Sequence, residues 1–172
     1  MSGESTGFNV GRTMHIHIIA VGKIKEKFLK DGIAEYQKRL RPYVKLTILE
    51  IAEEKKGTSQ SPSQEKLVKA REGARILAAI PRDSFVIVLD IKGVQWSSET
   101  LAENIRQYEI AGKNQITFVI GGDLGLSMAV LSRSDMQLSL SKMTITHPMA
   151  RLVVIEQIYR ACRINRGEPY HK

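Results

Sequence analysis

Gly121, Gly122 and Gly125 follow the apolar run 116–120 (ITFVI), and Ser141, Lys142, Met143 and Thr144 follow a second run, 136–140 (MQLSL). Glycines let a backbone approach a ligand closely and take positive φ. The second loop adds hydroxyls, a cation and exposed peptide groups. If both runs are strands, both loops lie at strand carboxyl ends, where open α/β sheets bind their ligands. The chemistry indicated is a nucleotide-like ligand held largely by backbone, with a basic helix behind it. GGDLG is not G-x-G-x-x-G, and no G-x-x-x-x-G-K-[ST] occurs, so dinucleotide and ATP binding have poor support. A tight turn alone accounts for GGxxG about equally well.

The segment 148–165 reads as the basic helix. Ile155, Ile158, Tyr159 and Cys162 form its apolar face, while Glu156, Arg160 and Arg163 line another. From 151 to 172 there are five basic residues (Arg151, Arg160, Arg163, Arg166, Lys172) and two acidic ones (Glu156, Glu168), a local net of +3. The planar arginine fork suits phosphate, and a merely solvated face has equal weight. The tail 167–172 (GEPYHK) offers Tyr170, His171 and Lys172, although chain ends usually fray. His147 is a base, an RNA contact or a helix-start residue, the last favoured. No Ser-His-Asp set and no carboxylate pair can be assembled from local spacing. His15 and His17 share one strand face without a third partner, which favours solvent-facing histidines over metal ligands, and no metal site is expected.

Composition narrows the partners. The 172 residues are 42% hydrophobic and carry 26 Lys and Arg against 18 Asp and Glu, a net charge of +8. This length supports one domain with a substantial core. The charge favours an anionic partner, nucleic acid before an acidic membrane surface. Cys162 is the single cysteine, so no intrachain disulfide is available and a reducing, cytoplasmic setting fits. No apolar run approaches the roughly 20 residues of a membrane helix, and the polar start is no secretory signal.

The elements that must position these residues alternate. Residues 1–13 are polar and expected to be a disordered extension, with Met14 the natural start of a single domain, 14–172. Alternation over 14–21 indicates a strand with Met14, Ile16 and Ile18 on one face. Phe28, Leu29, Ile33, Tyr36 and Leu40 then sit at helical spacing, ending before Pro42. A strand at 44–51 leads to an exposed loop, 52–61. Ser61-Pro62-Ser63-Gln64 resembles a capping box, opening a helix whose inward face is read as Leu67, Ala70, Ala74 and Leu77. The run 84–91 (SFVIVLDI) suits a strand buried on both faces, followed by a Lys92-Gly93 turn. A helix capped by Ser97 or Ser98 places Leu101, Ile105 and Tyr108 inward. With the strand to Ile120, a short helix near 127–132, a strand to Leu140 and the final helix, the order is β-α five times over. That predicts an α/β fold with a mostly parallel central sheet and helices on both faces.

Taken together, FVIGGDLG (118–125), LSLSKMTITHPMARLVVIEQIYRA (138–161), INRGEPYHK (164–172) and IIAVGKIKEKFLKDGIAEYQKRLRPY (18–43) resemble the RlmH family, the ribosomal RNA large subunit methyltransferases H of the SPOUT superfamily. The resemblance covers 14–172. It implies a SPOUT α/β knot, a deep trefoil near the C-terminus, and a homodimer with sites at the subunit interface. It implies S-adenosylmethionine as cofactor and methylation of N3 of a pseudouridine in 23S ribosomal RNA within assembled ribosomes. By motif position, Leu89, Gly121, Gly122, Leu140, Ser141, Lys142, Met143, Thr144 and Ile145 would surround the cofactor. His171, Arg151 and Tyr170 would form the catalytic group, and Arg160, Arg163, Lys172 and His147 would meet RNA. Asp123 stands where the family more often has a small residue. The alternative is a non-catalytic RNA- or ribosome-binding module with the same fold.

Overall fold

The computed structural model describes residues 13–58 and 61–171. The expected disordered extension, except Thr13, and Lys172 lie outside them. The strands are β1 His15–Val21, β2 Lys45–Ile51, β3 Phe85–Gln95, β4 Gln115–Ile120 and β5 Met136–Ser139. The helices are α1 Lys27–Leu40, α2 Pro62–Ala79, α3 Ser98–Ile110, α4 Met128–Arg133 and α5 His147–Asn165. The order matches the alternation in the sequence. One sheet, β2-β1-β4-β3-β5, joins all five strands, and every pairing is parallel.

A parallel sheet buried on both faces needs apolar side chains pointing both ways. Ile16, Ile18, Ile87, Ile116, Phe118 and Ile120 face one core, shared with α1, α3 and α5. Ile19, Val21, Val86, Val88 and Val119 face a second core under α2 and α4. The larger residues lie under three helices and the smaller valines under two. His15 and His17 are half-buried on the valine side of β1, hydrogen-bonded to Thr47 (2.8 Å) and Gln115 (3.2 Å). Burial lowers the pKa of both imidazoles.

Three local expectations are corrected. On α2 the buried residues are Val68, Glu72, Gly73 and Ile76; of the residues read as inward, Leu77 is half-buried against the core while Leu67, Ala70 and Ala74 are exposed. The helix turns Gly73 toward Ser127, which caps α4, and Val130 within α4, a crossing too close for any larger side chain. Phe28 on α1 is exposed while Leu29, Ile33 and Leu40 are buried. Lys92-Gly93 is no simple turn. Both Leu89 and Val94 oppose Leu138, so 90–93 is a looped-out excursion within β3, and such irregularities re-aim a strand beside a site. Ser61 does cap α2, accepting a hydrogen bond from the Gln64 N–H at 3.3 Å.

Candidate cofactor cleft

The carboxyl ends of β3, β4 and β5 meet the start of α1 and α5 around a cleft of about 700 Å³. That falls within the range typical of cofactor sites. Leu89, Gly121, Gly122, Leu140, Ser141, Met143, Thr144, Ile145 and His147 all line it, as two strand-end loops require. Lys142 is exposed and is not among the lining residues. Glu26, Phe28, Asp90 and Ile91 also border the cleft. Sequence reasoning missed them because their contribution depends on the sheet order and on the β3 excursion. A smaller recess of about 220 Å³ opens behind β5, between Trp96, Leu101 and Gln157.

The charge of the lining opposes that of the whole chain. Glu26, Asp90 and Asp123 place carboxylates around the cleft, and among the described residues no lysine or arginine lines it. Oδ2 of Asp123 accepts a hydrogen bond from the Lys56 ammonium at 2.9 Å, and Oδ1 lies 3.1 Å from Nε2 of His147. These neighbours, Lys56 foremost, hold the Asp123 carboxyl below its usual range. Nδ1 of His147 is buried without a hydrogen-bond partner. Glu53, Asp123 and His147 bring ligand atoms within 4.8 Å of one another. The ammonium of Lys56 already sits on the Asp123 carboxylate, so the group reads as an ion-pair network tying the loops after β2 and β4 to the start of α5.

The glycines serve packing as well as conformation. Gly125 has φ +82, and a Cβ on Gly121 would lie 3.0 Å from Leu126 and 3.2 Å from the Gly125 carbonyl carbon. The loop is thus folded tightly on itself, with its backbone along the cleft. At the other wall Thr146 makes no side-chain cap for α5, and Thr146–Ala150 border the same space. The first backbone N–H groups of a helix lack intrahelical acceptors.

The residues expected to be catalytic lie elsewhere in the chain. Arg151 is buried, donating to Oε2 of Glu50 at 2.7 Å and to the Gly22 carbonyl at 3.1 Å. It pins the end of β1 and the end of β2 to α5. Nε2 of His171 lies 2.6 Å from Oε1 of Glu99, and its Nδ1 lies 3.1 Å from Arg160. The Tyr170 hydroxyl donates to Glu156 at 3.0 Å and lies 3.3 Å from that of Tyr36. Arg160 also chelates Glu156 through Nε and Nη2. Arg163 holds Glu168, the Pro169 carbonyl and the Tyr43 hydroxyl. The tail, expected to fray, is therefore strapped along α5 by the helix's own arginines. None of these residues lines the cleft of the same chain. Cys162 is buried and its thiol is pushed up to about 12, which leaves no thiolate nucleophile at neutral pH.

Comparison with known proteins agrees with this arrangement. A family model described as a predicted SPOUT methyltransferase matches residues 14–171. A protein of Methanoregula boonei is 60% identical over 159 residues, covering 92% of this chain and 100% of the relative. With the same coverage, proteins of Carboxydothermus hydrogenoformans (52% identical) and Listeria monocytogenes (54%) carry the name ribosomal RNA large subunit methyltransferase H. A solved methylase family protein of Haemophilus influenzae shares the fold, with a TM-score of 0.52 at 15% identity, over 91% of this chain and 70% of its own. A parallel α/β sheet with a glycine-loop cleft at its carboxyl edge, matched by relatives along nearly the whole chain, places this protein in the ribosomal RNA large subunit methyltransferase H family of SPOUT methyltransferases.

Proposed function

We propose that the protein transfers a methyl group from S-adenosylmethionine to ribosomal RNA, at N3 of a large-subunit pseudouridine in assembled ribosomes. The observation that carries the cofactor assignment is the charge inversion. A chain of net charge +8 builds a cleft bordered by the Glu26 and Asp90 carboxylates, which form no ion pair among the described residues, by Asp123 with its charge already met by Lys56, and by no lysine or arginine among the described residues. Such a lining repels phosphates and suits a ligand bearing a sulfonium and an ammonium. Leu89, Leu140, Met143 and Ile145 supply apolar walls for an adenine ring, and the Gly121–Gly122 and 140–145 backbones supply donors and acceptors for its edge. The N–H groups of His147 and Met149 in the first turn of α5, which lack intrahelical acceptors, suit the ligand carboxylate. When bound, the cofactor would supply an electrophilic methyl group already activated by its positive charge.

The chain's own work is then alignment and removal of the N3 proton. We assign the proton to His171 or to a water it holds, with an arginine stabilising the developing negative charge. His147 is the rival base, since it already borders the cleft. Within one chain His171 contacts Glu99 and Arg160, so this assignment requires a homodimer in which the tail of one protomer serves its partner's cleft. The knotted region implied by the family resemblance would be the segment from β5 to α5, whose loop and helix start both border the cleft.

The decisive experiment offers labelled S-adenosylmethionine with ribosomes lacking the modification, or with naked ribosomal RNA. Label at a large-subunit pseudouridine, on ribosomes only, is expected. Cofactor binding without transfer would redirect the search to another RNA. Neither binding nor transfer would favour a non-catalytic ribosome-binding module.

A further inference from the structure

Phe28 is 66% exposed, beside the mouth of the cleft that it helps to line. The apolar face of α1 runs through Leu29, Ile33 and Leu40, and Phe28 is turned about 100° away from Leu29 by helix geometry. Met143 and Met149 at the same mouth are 79% and 41% exposed. Lys23, Lys25, Lys27 and Lys30 surround the ring in sequence, all exposed, against only Glu26 and Asp31. Lys27 pairs with Asp31 at 2.5 Å. Among the described residues, Lys23, Lys25 and Lys30 form no ion pair. The cleft lining thus lacks cations, while the segment 23–30 that reaches it through Glu26, Phe28 and Leu29 carries three unpaired lysines within five residues of one solvent-facing aromatic ring.

We propose that Phe28 is the stacking platform for an RNA base presented to the cleft, with Lys23, Lys25 and Lys30 holding the flanking phosphates. The proposal rests on the methyltransferase reading above and names the part of the site that would meet RNA. RNA-binding proteins receive unstacked bases on aromatic rings and track the backbone with cations. A base between two phosphates complements this surface in both respects. An apolar protein partner covering this segment would have to lie against its unpaired lysines as well as Phe28.

The test compares Phe28→Ala, Phe28→Leu and Phe28→Trp on ribosomes. The Ala and Leu variants should lose about tenfold in kcat/KM, the effect of one lost stack, while Trp stays near wild type. The loss should persist at saturating S-adenosylmethionine, since Phe28 also borders the cofactor cleft, and light-scattering mass should be unchanged in all three. Joint replacement of Lys23, Lys25 and Lys30 by Ala should lower the slope of log affinity against log salt by about 2, at roughly 0.7 per phosphate on a single strand. Full activity in Phe28→Leu would overturn stacking, and a lower mass in Phe28→Ala would show that a second copy covers the ring. If the wild-type protein methylates no RNA, the functional reading fails separately. Stacking is then read from Phe28→Trp alone, whose added indole emission must be quenched by single-stranded RNA, and unquenched emission overturns it.

Discussion

Oδ1 of Asp123 lies 3.1 Å from Nε2 of His147, joining the glycine loop after β4 to the first turn of α5. The second oxygen of Asp123 binds Lys56, from the loop after β2. One carboxylate thus fastens two loops and the start of α5 at the mouth of the cleft. Because 55% of the side chain is exposed, the contacts add little to global stability, and their effect should be on the ligand.

Asp123→Ser should weaken S-adenosylmethionine binding several-fold by calorimetry while moving Tm by less than about 2 °C. Asp123→Asn keeps hydrogen-bonding groups without the charge, so it separates fastening from attraction. The Asp123 carboxyl is held below its usual range. Its ionised contacts are therefore present above the unfolded-state pKa and are lost only as pH falls through the lower folded-state value. The part of cofactor affinity that depends on the Asp123–Lys56 pair should be constant from pH 8 to 5. A loss already complete at pH 5 would contradict the assignment.

How much of this was legible in the sequence depends on the range of the interaction. Alternation gave β1, and the continuous apolar run 84–91 gave a doubly buried β3, because side-chain period is a local property. The two loops of the cleft were readable for the same reason, each following its own strand. Phe28 was misplaced because helical spacing admits it as readily as Leu29, and only packing against α5 chooses between them. The carboxylate lining arises from Glu26, Asp90 and Asp123, which lie more than 30 residues apart and are united only by the order β2-β1-β4-β3-β5. Arginines 160 and 163 looked equally suited to phosphate and to solvent. The structure gives them a third role, strapping the tail, which no local pattern encodes.

Gly93 illustrates a position whose sequence signal was read correctly as special but for the wrong reason. A Cβ there would stand 2.6 Å from the carbonyl carbon and oxygen of Gln137, in the backbone of β5. Backbone cannot rotate aside as a side chain can, so Gly93→Ala must part β3 from β5 just before Ser139 and Leu140. We expect about 1–3 kcal/mol of destabilisation from overpacking and a weaker cofactor site, read by thermal melts and calorimetry. A variant with wild-type Tm and affinity would show that the excursion 90–93 absorbs the methyl group freely.

Glu72 is buried on α2, where its carboxylate accepts the Glu54 N–H at 3.0 Å. Burial first, and the neighbouring Glu53 charge after it, push its pKa up. The raised folded-state value means that the native state holds this proton more tightly than the unfolded chain does. The penalty on the charged form is therefore present at neutral pH and is relieved as pH falls through the folded-state value. Glu72→Gln keeps an acceptor for Glu54 and removes the charge, so it should raise Tm by a few degrees at pH 7.5. The advantage should vanish below pH 4, and a pH-independent gain would point to packing instead.

Arg151 and Glu50 form an unequal pair, with side chains 2% and 39% exposed. Removing the more exposed partner strands the buried one. Glu50→Ala leaves a guanidinium inside the protein with only the Gly22 carbonyl, and should cost about 3–5 kcal/mol. Arg151→Ala leaves a carboxylate that water can reach and an unpaired carbonyl, costing about 1–3 kcal/mol. The order of the two melting temperatures checks this, and Glu50→Ala must be the lower. The same pair decides whether Arg151 has a direct part in the reaction, as the family resemblance implied. If the arginine only braces β1, β2 and α5, both variants should lose methyl transfer in parallel at a temperature where both are folded. A much larger kcat loss in Arg151→Ala, despite its smaller loss of stability, would mean that the guanidinium reaches the reacting base when RNA is bound.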